Sequence, residues 1–139
     1  MKKAILFTLL LIVVGATIYN LYPEKKLPAN TEIDYIVVKK SDRELLAYSK
    51  HRLIKTYQIS LGDSPVGHKA YEGDIAHAKL FGKPVGGDIK IHGIRNNFGF
   101  IGKFQRFSDW TNGCMALTNS EVDELYATVK IGTRIDIRP

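Results

Sequence analysis

Apolar and polar positions divide this chain into stretches of different rhythm. From Ala4 to Tyr19, AILFTLLLIVVGATIY is an uninterrupted apolar run of 16 residues, with Thr8 and Thr17 its only mild polar breaks. This predicts an N-terminal apolar helix. PEKKLPAN, residues 23–30, follows with two prolines and three charges and reads as a linker. From Ile33 the period falls to two. IDYIVVKK is rich in β-branched residues, SDR makes a turn, ELLAYSK follows, and in LIKTYQISL the residues Leu53, Lys55, Tyr57, Ile59 and Leu61 alternate against Ile54, Thr56, Gln58 and Ser60. Three short strands joined by tight turns predict an antiparallel meander. GDSPVGHKAYEGD is glycine-rich and polar, hence loop, and IAHAKLFGKPVGG has room for one or two helical turns before Pro84.

The second half sharpens toward its end. DIKIHG predicts a small strand with Ile89 and Ile91 on one face and Lys90 and His92 on the other. Between Ile94 and Phe107 the pattern dissolves into a long shaped loop of aromatic residues among glycines and cations. Thr118 followed by Glu121 forms a capping box, and Val122, Leu125, Tyr126 and Val129 fall at i, i+3, i+4 and i+7, so a helix begins just after the TNGCMAL stretch. Gly132 ends a turn and TRIDIR alternates into a final strand. The expected fold class is mainly β with a minor α part. Residues 1–22 form a signal peptide or membrane anchor, 23–32 a linker, and 33–139 one domain with a modest core.

Composition then sets the compartment. Met1-Lys2-Lys3 ahead of the apolar run is the pattern of an export signal or an anchor. No clear Ala-x-Ala site follows, and no cysteine stands where a lipid would be attached, which favours an uncleaved anchor. Lys2 and Lys3 on the cytoplasmic side leave the rest of the chain facing outward, so the protein is expected to be exported, periplasmic or in the cell envelope, and monomeric. The net charge is +6, but Lys2, Lys3, Lys25 and Lys26 against Glu24 account for half of it. The remaining excess over residues 31–139 is too small for a nucleic-acid footprint.

Cys114 is the only cysteine in the chain. In an exported protein it cannot join an internal disulfide, so it is an intermolecular bridge, a reactive thiol or an inert buried residue. Cysteine catalysis needs a thiolate, a base and donors for an oxyanion. His92 is the best base because it ends a strand at a glycine. The amides of Gly113 and Cys114 are candidates for the oxyanion hole. His51 and His68 fall in polar turns and loops, and His77 in an undefined segment. No two histidines share a ligand spacing, so no metal is expected.

IHG at 91–93, TNGC at 111–114 ahead of a capped helix, and YQISLGDSPVGHK at 57–69 together make the domain resemble the L,D-transpeptidase catalytic domain, also called YkuD-like. The resemblance covers most of residues 33–138. It implies a β-sandwich or barrel-like fold with one helix after the cysteine, and attack by Cys114 on a carbonyl of a peptidoglycan stem peptide. It further implies His92 as base, the Gly93 carbonyl orienting its ring, resolution of the acyl-enzyme by an amine, and no cofactor. Thr111, Asn112, Gly113, Trp110 and Arg95 are then the expected substrate or oxyanion residues. Asn112 stands where the family usually has histidine, and Ala116 where many members have a cation or an amide. Arg95, Lys103 and Arg106 are candidate replacements for that cation. Phe98, Phe100 and Phe104, with Trp110, are candidate cleft walls. Only 24 residues separate Gly67 from His92, so the domain is expected to be shortened over 74–88. A peptidoglycan-trimming amidase or hydrolase, or a non-catalytic cell-wall binding relative, are the alternative functions.

Overall fold

The computed structural model describes residues 1–62 and 89–139. A helix, α1 (Lys2–Leu21), is followed by strands β1 (Ile33–Lys39), β2 (Glu44–Ser49) and β3 (Arg52–Gln58), then by β4 (Ile91–His92), a 3-10 segment (Gly99–Phe107), β5 (Met115–Ala116), helix α2 (Asn119–Thr128) and β6 (Val129–Arg138). The expected loop and helical turns within 63–88, the shortened stretch, His68 and His77 all lie outside the described residues.

The meander forms as the alternation predicts. β1 to β3 are antiparallel neighbours, and β6 adds to the free edge of β1 in parallel, giving the order β3-β2-β1-β6. Ile36 and Val38 face the core, while Val37 on the opposite face is flanked by Tyr35, Leu46 and Tyr48, which is why three residues are buried in succession rather than alternately. Lys50 and His51, both at positive φ, make the two-residue turn between β2 and β3. This twist matches the strands it joins, and Asp34 Oδ2 accepts the Lys50 amide at 2.6 Å.

The expected capping box is present on α2. The Thr118 amide and hydroxyl both donate to Glu121 Oε2, at 3.0 and 2.6 Å. Of the apolar stripe, Leu125 is buried and Val122 and Val129 pack partly against the core, but Tyr126 points to solvent at 90% exposure. The last strand starts earlier than TRIDIR suggests. It leaves α2 directly at Val129 and carries Gly132, at φ 94°, inside a register shift between Ile33 and Tyr35. A glycine read as a turn is here a bulge.

The segment from Ile94 to Phe107 is more regular than a loop. It closes into 3-10 turns from Gly99, broken at Gly102, whose φ of 53° and ψ of −124° are not helical. A second, two-stranded sheet pairs β4 and β5 in parallel. Met115 and Leu117, from and beside β5, pack in one core with Ile36, Val38, Leu45 and Tyr57 of the large sheet. Burying a Leu45-sized side chain stabilises by about 2 kcal/mol, so this shared core fixes the small sheet on the large one. The result is a mainly β domain preceded by an apolar helix.

That helix has no buried residue, and over its most apolar 18 residues the mean hydropathy is 2.3, so it is long and apolar enough to cross a membrane. The linker beyond it lies along the domain. Glu24 bonds Arg106 at 3.0 Å, the Lys25 carbonyl accepts Lys55 Nζ at 2.7 Å, and the Leu27 amide donates to Glu124 at 2.8 Å.

Candidate active site

β5 is pinned from both sides. Its neighbour on one side is β4: the Met115 amide donates to the Lys90 carbonyl and the Leu117 amide to the His92 carbonyl, both at 2.9 Å. On the other side Ser60 exchanges two bonds with Ala116, at 2.9 and 2.8 Å. The register places His92 opposite Ala116. Paired residues of neighbouring strands lie on one face, so His92 shares a face with Ala116, and Cys114 lies in the turn two residues before Ala116.

The imidazole is held from behind. His92 Nδ1 lies 2.6 Å from the Gly93 carbonyl oxygen. A carbonyl can only accept, so Nδ1 carries the proton, and in the neutral ring the lone pair is left on Nε2. The Trp110 ring meets the imidazole edge-on, with centroids 5.7 Å apart at 77°. Trp110 is itself fixed by its indole N–H to Gln105 Oε1 at 3.1 Å and its amide to the Leu61 carbonyl at 2.9 Å.

The cysteine sits in a tight turn. Thr111 is buried and its hydroxyl donates to the Cys114 carbonyl at 2.7 Å, so this side chain closes the turn. Asn112 and Gly113 are exposed and Cys114 is half-buried. Gly113 has φ 97°, and no atom lies within 4 Å of where a Cβ would be. Glycine is used there for its backbone conformation.

Three residues without a sequence signal hold the cysteine turn and the segment after His92 in place. Gly62 lies against the turn so closely that a Cβ would come 2.6 Å from the Gly113 amide nitrogen and 2.9 Å from the Thr111 carbonyl oxygen. Asp109 accepts the Leu61 amide at 2.9 Å and an ion pair from Arg43 at 2.7 Å. Burial works against its charge, but the Arg43 and Leu61 bonds outweigh it and hold the carboxyl below its ordinary range. Asn119 accepts the Ile94 amide at 2.9 Å, and a Cβ on Gly93 would meet its Oδ1 at 2.6 Å. Only long-range pairing reveals these roles. A lone Asp or Asn between turn residues carries no local signal of it.

Of the cations expected to replace one at Ala116, two are occupied. Lys103 pairs with Glu24 at 3.1 Å, and Arg106 pairs with Glu24 and Glu121 at 3.0 and 2.8 Å. Arg95 is exposed three residues past His92 and makes no side-chain bond or ion pair to a described residue. Phe104 packs against Tyr19 of α1, with centroids 6.0 Å apart, and Phe100 is 77% exposed, so these rings belong to the α1 side of the domain. Among the described residues no cluster of three His, Cys, Asp or Glu is placed to hold a metal.

A family model described as the L,D-transpeptidase catalytic domain matches residues 33–137. No curated protein sequence matches the chain.

Proposed function

Because the chain belongs to the L,D-transpeptidase catalytic domain family, we propose that it forms an acyl-enzyme on Cys114 with peptidoglycan stem peptides and transfers the acyl group to an amine. The domain gives it an L,D-transpeptidase-family role in peptidoglycan. The observation that carries the finer reading is the 2.6 Å bond from His92 Nδ1 to the Gly93 carbonyl. It selects the tautomer whose Nε2 accepts a proton, as a general base for a thiol requires.

The chemistry then proceeds in two halves. His92 Nε2 takes the Cys114 thiol proton, and the sulfur attacks the stem-peptide carbonyl carbon. The oxyanion is met by the amides of Gly113 and Cys114. Collapse breaks the C–N bond, and the departing amine takes the proton from His92, leaving a thioester. An acceptor amine attacks that thioester, loses its proton to His92, and releases the cross-linked product as the thiol re-forms. Asn112 offers its side-chain amide to the substrate from the exposed rim of the turn. Arg95 is the cation available to grip a stem carboxylate. Substrate of this kind lies outside the cytoplasmic membrane, which agrees with α1 acting as a signal or an anchor for an exported domain.

A trimming hydrolase would share every step to the thioester and differ only in using water to resolve it. Incubation of the full chain with purified muropeptides, followed by mass spectrometry, tests the reading. Cross-linked dimers support transfer, and shortened monomers assign hydrolysis. An unchanged mixture from a folded protein leaves the binding relative.

A further inference from the structure

The end of α1 is attached to the 3-10 segment at several points. The Asn20 amide group bridges two backbone positions of that segment: its Nδ2 donates to the Phe100 carbonyl at 3.2 Å and its Oδ1 accepts the Lys103 amide at 2.8 Å. Gly102 leaves the space for this, since a Cβ there would overlap Asn20 Oδ1. Lys103 Nζ donates to the Tyr22 carbonyl at 2.7 Å and pairs with Glu24, lying over the rings of Tyr19 and Tyr22 at 5.6 and 5.8 Å. Tyr19 in turn contacts Phe104 and Phe107.

Helix length fixes the depth of this junction. Twenty residues span about 30 Å, close to the hydrocarbon thickness of a bilayer at about 30 Å. If Lys2 and Lys3 sit at one surface, Tyr19, Asn20 and Tyr22 lie at the other, where aromatic rings are favoured. Phe100 and Phe107 are held at that same level, 77% and 73% exposed, and Lys25 and Lys26 of the strap are exposed as well. Large apolar side chains left in solvent next to a spanning helix mark an interaction surface.

We propose that residues Tyr19 to Leu27 strap the domain rigidly onto the outer end of a retained membrane helix, and that Phe100 and Phe107 seat in the lipid interface as a docking surface for the bilayer. This rests on reading α1 as an uncleaved anchor. The occupant follows from continuity: the patch prolongs the apolar surface of α1 where that helix leaves the membrane. The docked segment reaches the candidate site through Gln105, whose carbonyl accepts Ser60 Oγ at 2.6 Å and whose side chain holds Trp110. The strap thereby sets the height of His92 and Cys114 above the membrane.

The test uses the full chain in vesicles of phosphatidylethanolamine and phosphatidylglycerol doped with brominated phosphatidylcholine. Trp110 is the only native tryptophan and supplies the blank. Three variants each add one fluorophore: Val13→Trp in the middle of α1, Phe100→Trp and Phe107→Trp. All three positions are exposed, so the core is untouched. Bromines near the methyl ends should quench the tryptophan added at 13, and bromines near the headgroups should roughly halve the emission added at 100 and 107. Quenching at 13 with none at 100 or 107 overturns the docking surface and leaves the anchor standing. No quenching at any position overturns both. Adding Asn20→Ala and Glu24→Ala to the Phe107→Trp chain should abolish its quenching, and unchanged quenching overturns the strap.

Discussion

The imidazole of His92 is oriented by the backbone of the next residue: its Nδ1–H donates to the Gly93 carbonyl oxygen at 2.6 Å. A carbonyl in this role aligns the ring without adding a charge, so the ring's second nitrogen is free to serve a nucleophile. His92→Gln keeps the size of the side chain and can still donate to that carbonyl, but it has no basic lone pair. It should lower turnover by about 100-fold to 10,000-fold. The midpoint of thermal unfolding should stay within a few degrees, because His92 is half-buried and outside the core. Steady-state kinetics on muropeptides beside a melting curve checks both.

Gly93 and Asn119 are in steric opposition. A methyl at position 93 would sit 2.6 Å from Asn119 Oδ1, pushing that oxygen off the Ile94 amide it now accepts. Gly93→Ala should therefore destabilise by about 1–3 kcal/mol and depress activity through a displaced His92. Adding Asn119→Ala removes the clash, so the double variant should be less destabilised than the sum of the singles. A double-mutant cycle by denaturant unfolding measures this coupling.

Gly62 is the corresponding contact beneath the cysteine turn. The atoms its Cβ would strike are backbone, at 2.6 and 2.9 Å, and cannot rotate away. Gly62→Ala should shift the Gly113 amide and cut turnover more than substrate affinity, by about tenfold or more per 1.4 kcal/mol of lost oxyanion stabilisation. A kcat that holds while KM rises would contradict this.

How much of this was legible from sequence follows physical range. Local signals carried the meander and the Thr118 and Glu121 cap, because alternation and capping act within a few residues. The parallel β6 on β1 left no local mark, since Ile33 and Val129 meet across the whole domain. Tyr126 fits the helical period but faces solvent, because no described residue packs over that part of α2. Lys103 and Arg106 looked like free cations because Glu24, their partner, lies across the chain in a segment read as a linker.

Glu124 ties the strap to the meander, accepting from Lys55 at 2.5 Å, Tyr57 Oη at 2.7 Å and the Leu27 amide. Burial alone would raise its pKa, but these three bonds outweigh burial and lower it. A carboxyl with a depressed folded pKa contributes stability that is present above its unfolded value and is lost as pH falls through the folded one. The melting temperature should drop as pH falls below the ordinary carboxylate range, and Glu124→Gln should flatten that limb. At neutral pH the same variant should cost about 3 kcal/mol, because Lys55 and Tyr57 lose their charged partner.

Central to the account is a nucleophilic sulfur on Cys114 activated by His92, and trapping that sulfur tests it most directly. The full chain is exposed to a carbapenem, a strained electrophilic lactam that acylates the thiolates of this family, and its intact mass is measured. One added carbapenem is expected on the native chain, none on Cys114→Ala, and slowed addition on His92→Gln. A folded native chain that stays unmodified, or a Cys114→Ala chain that still gains the mass, would contradict it.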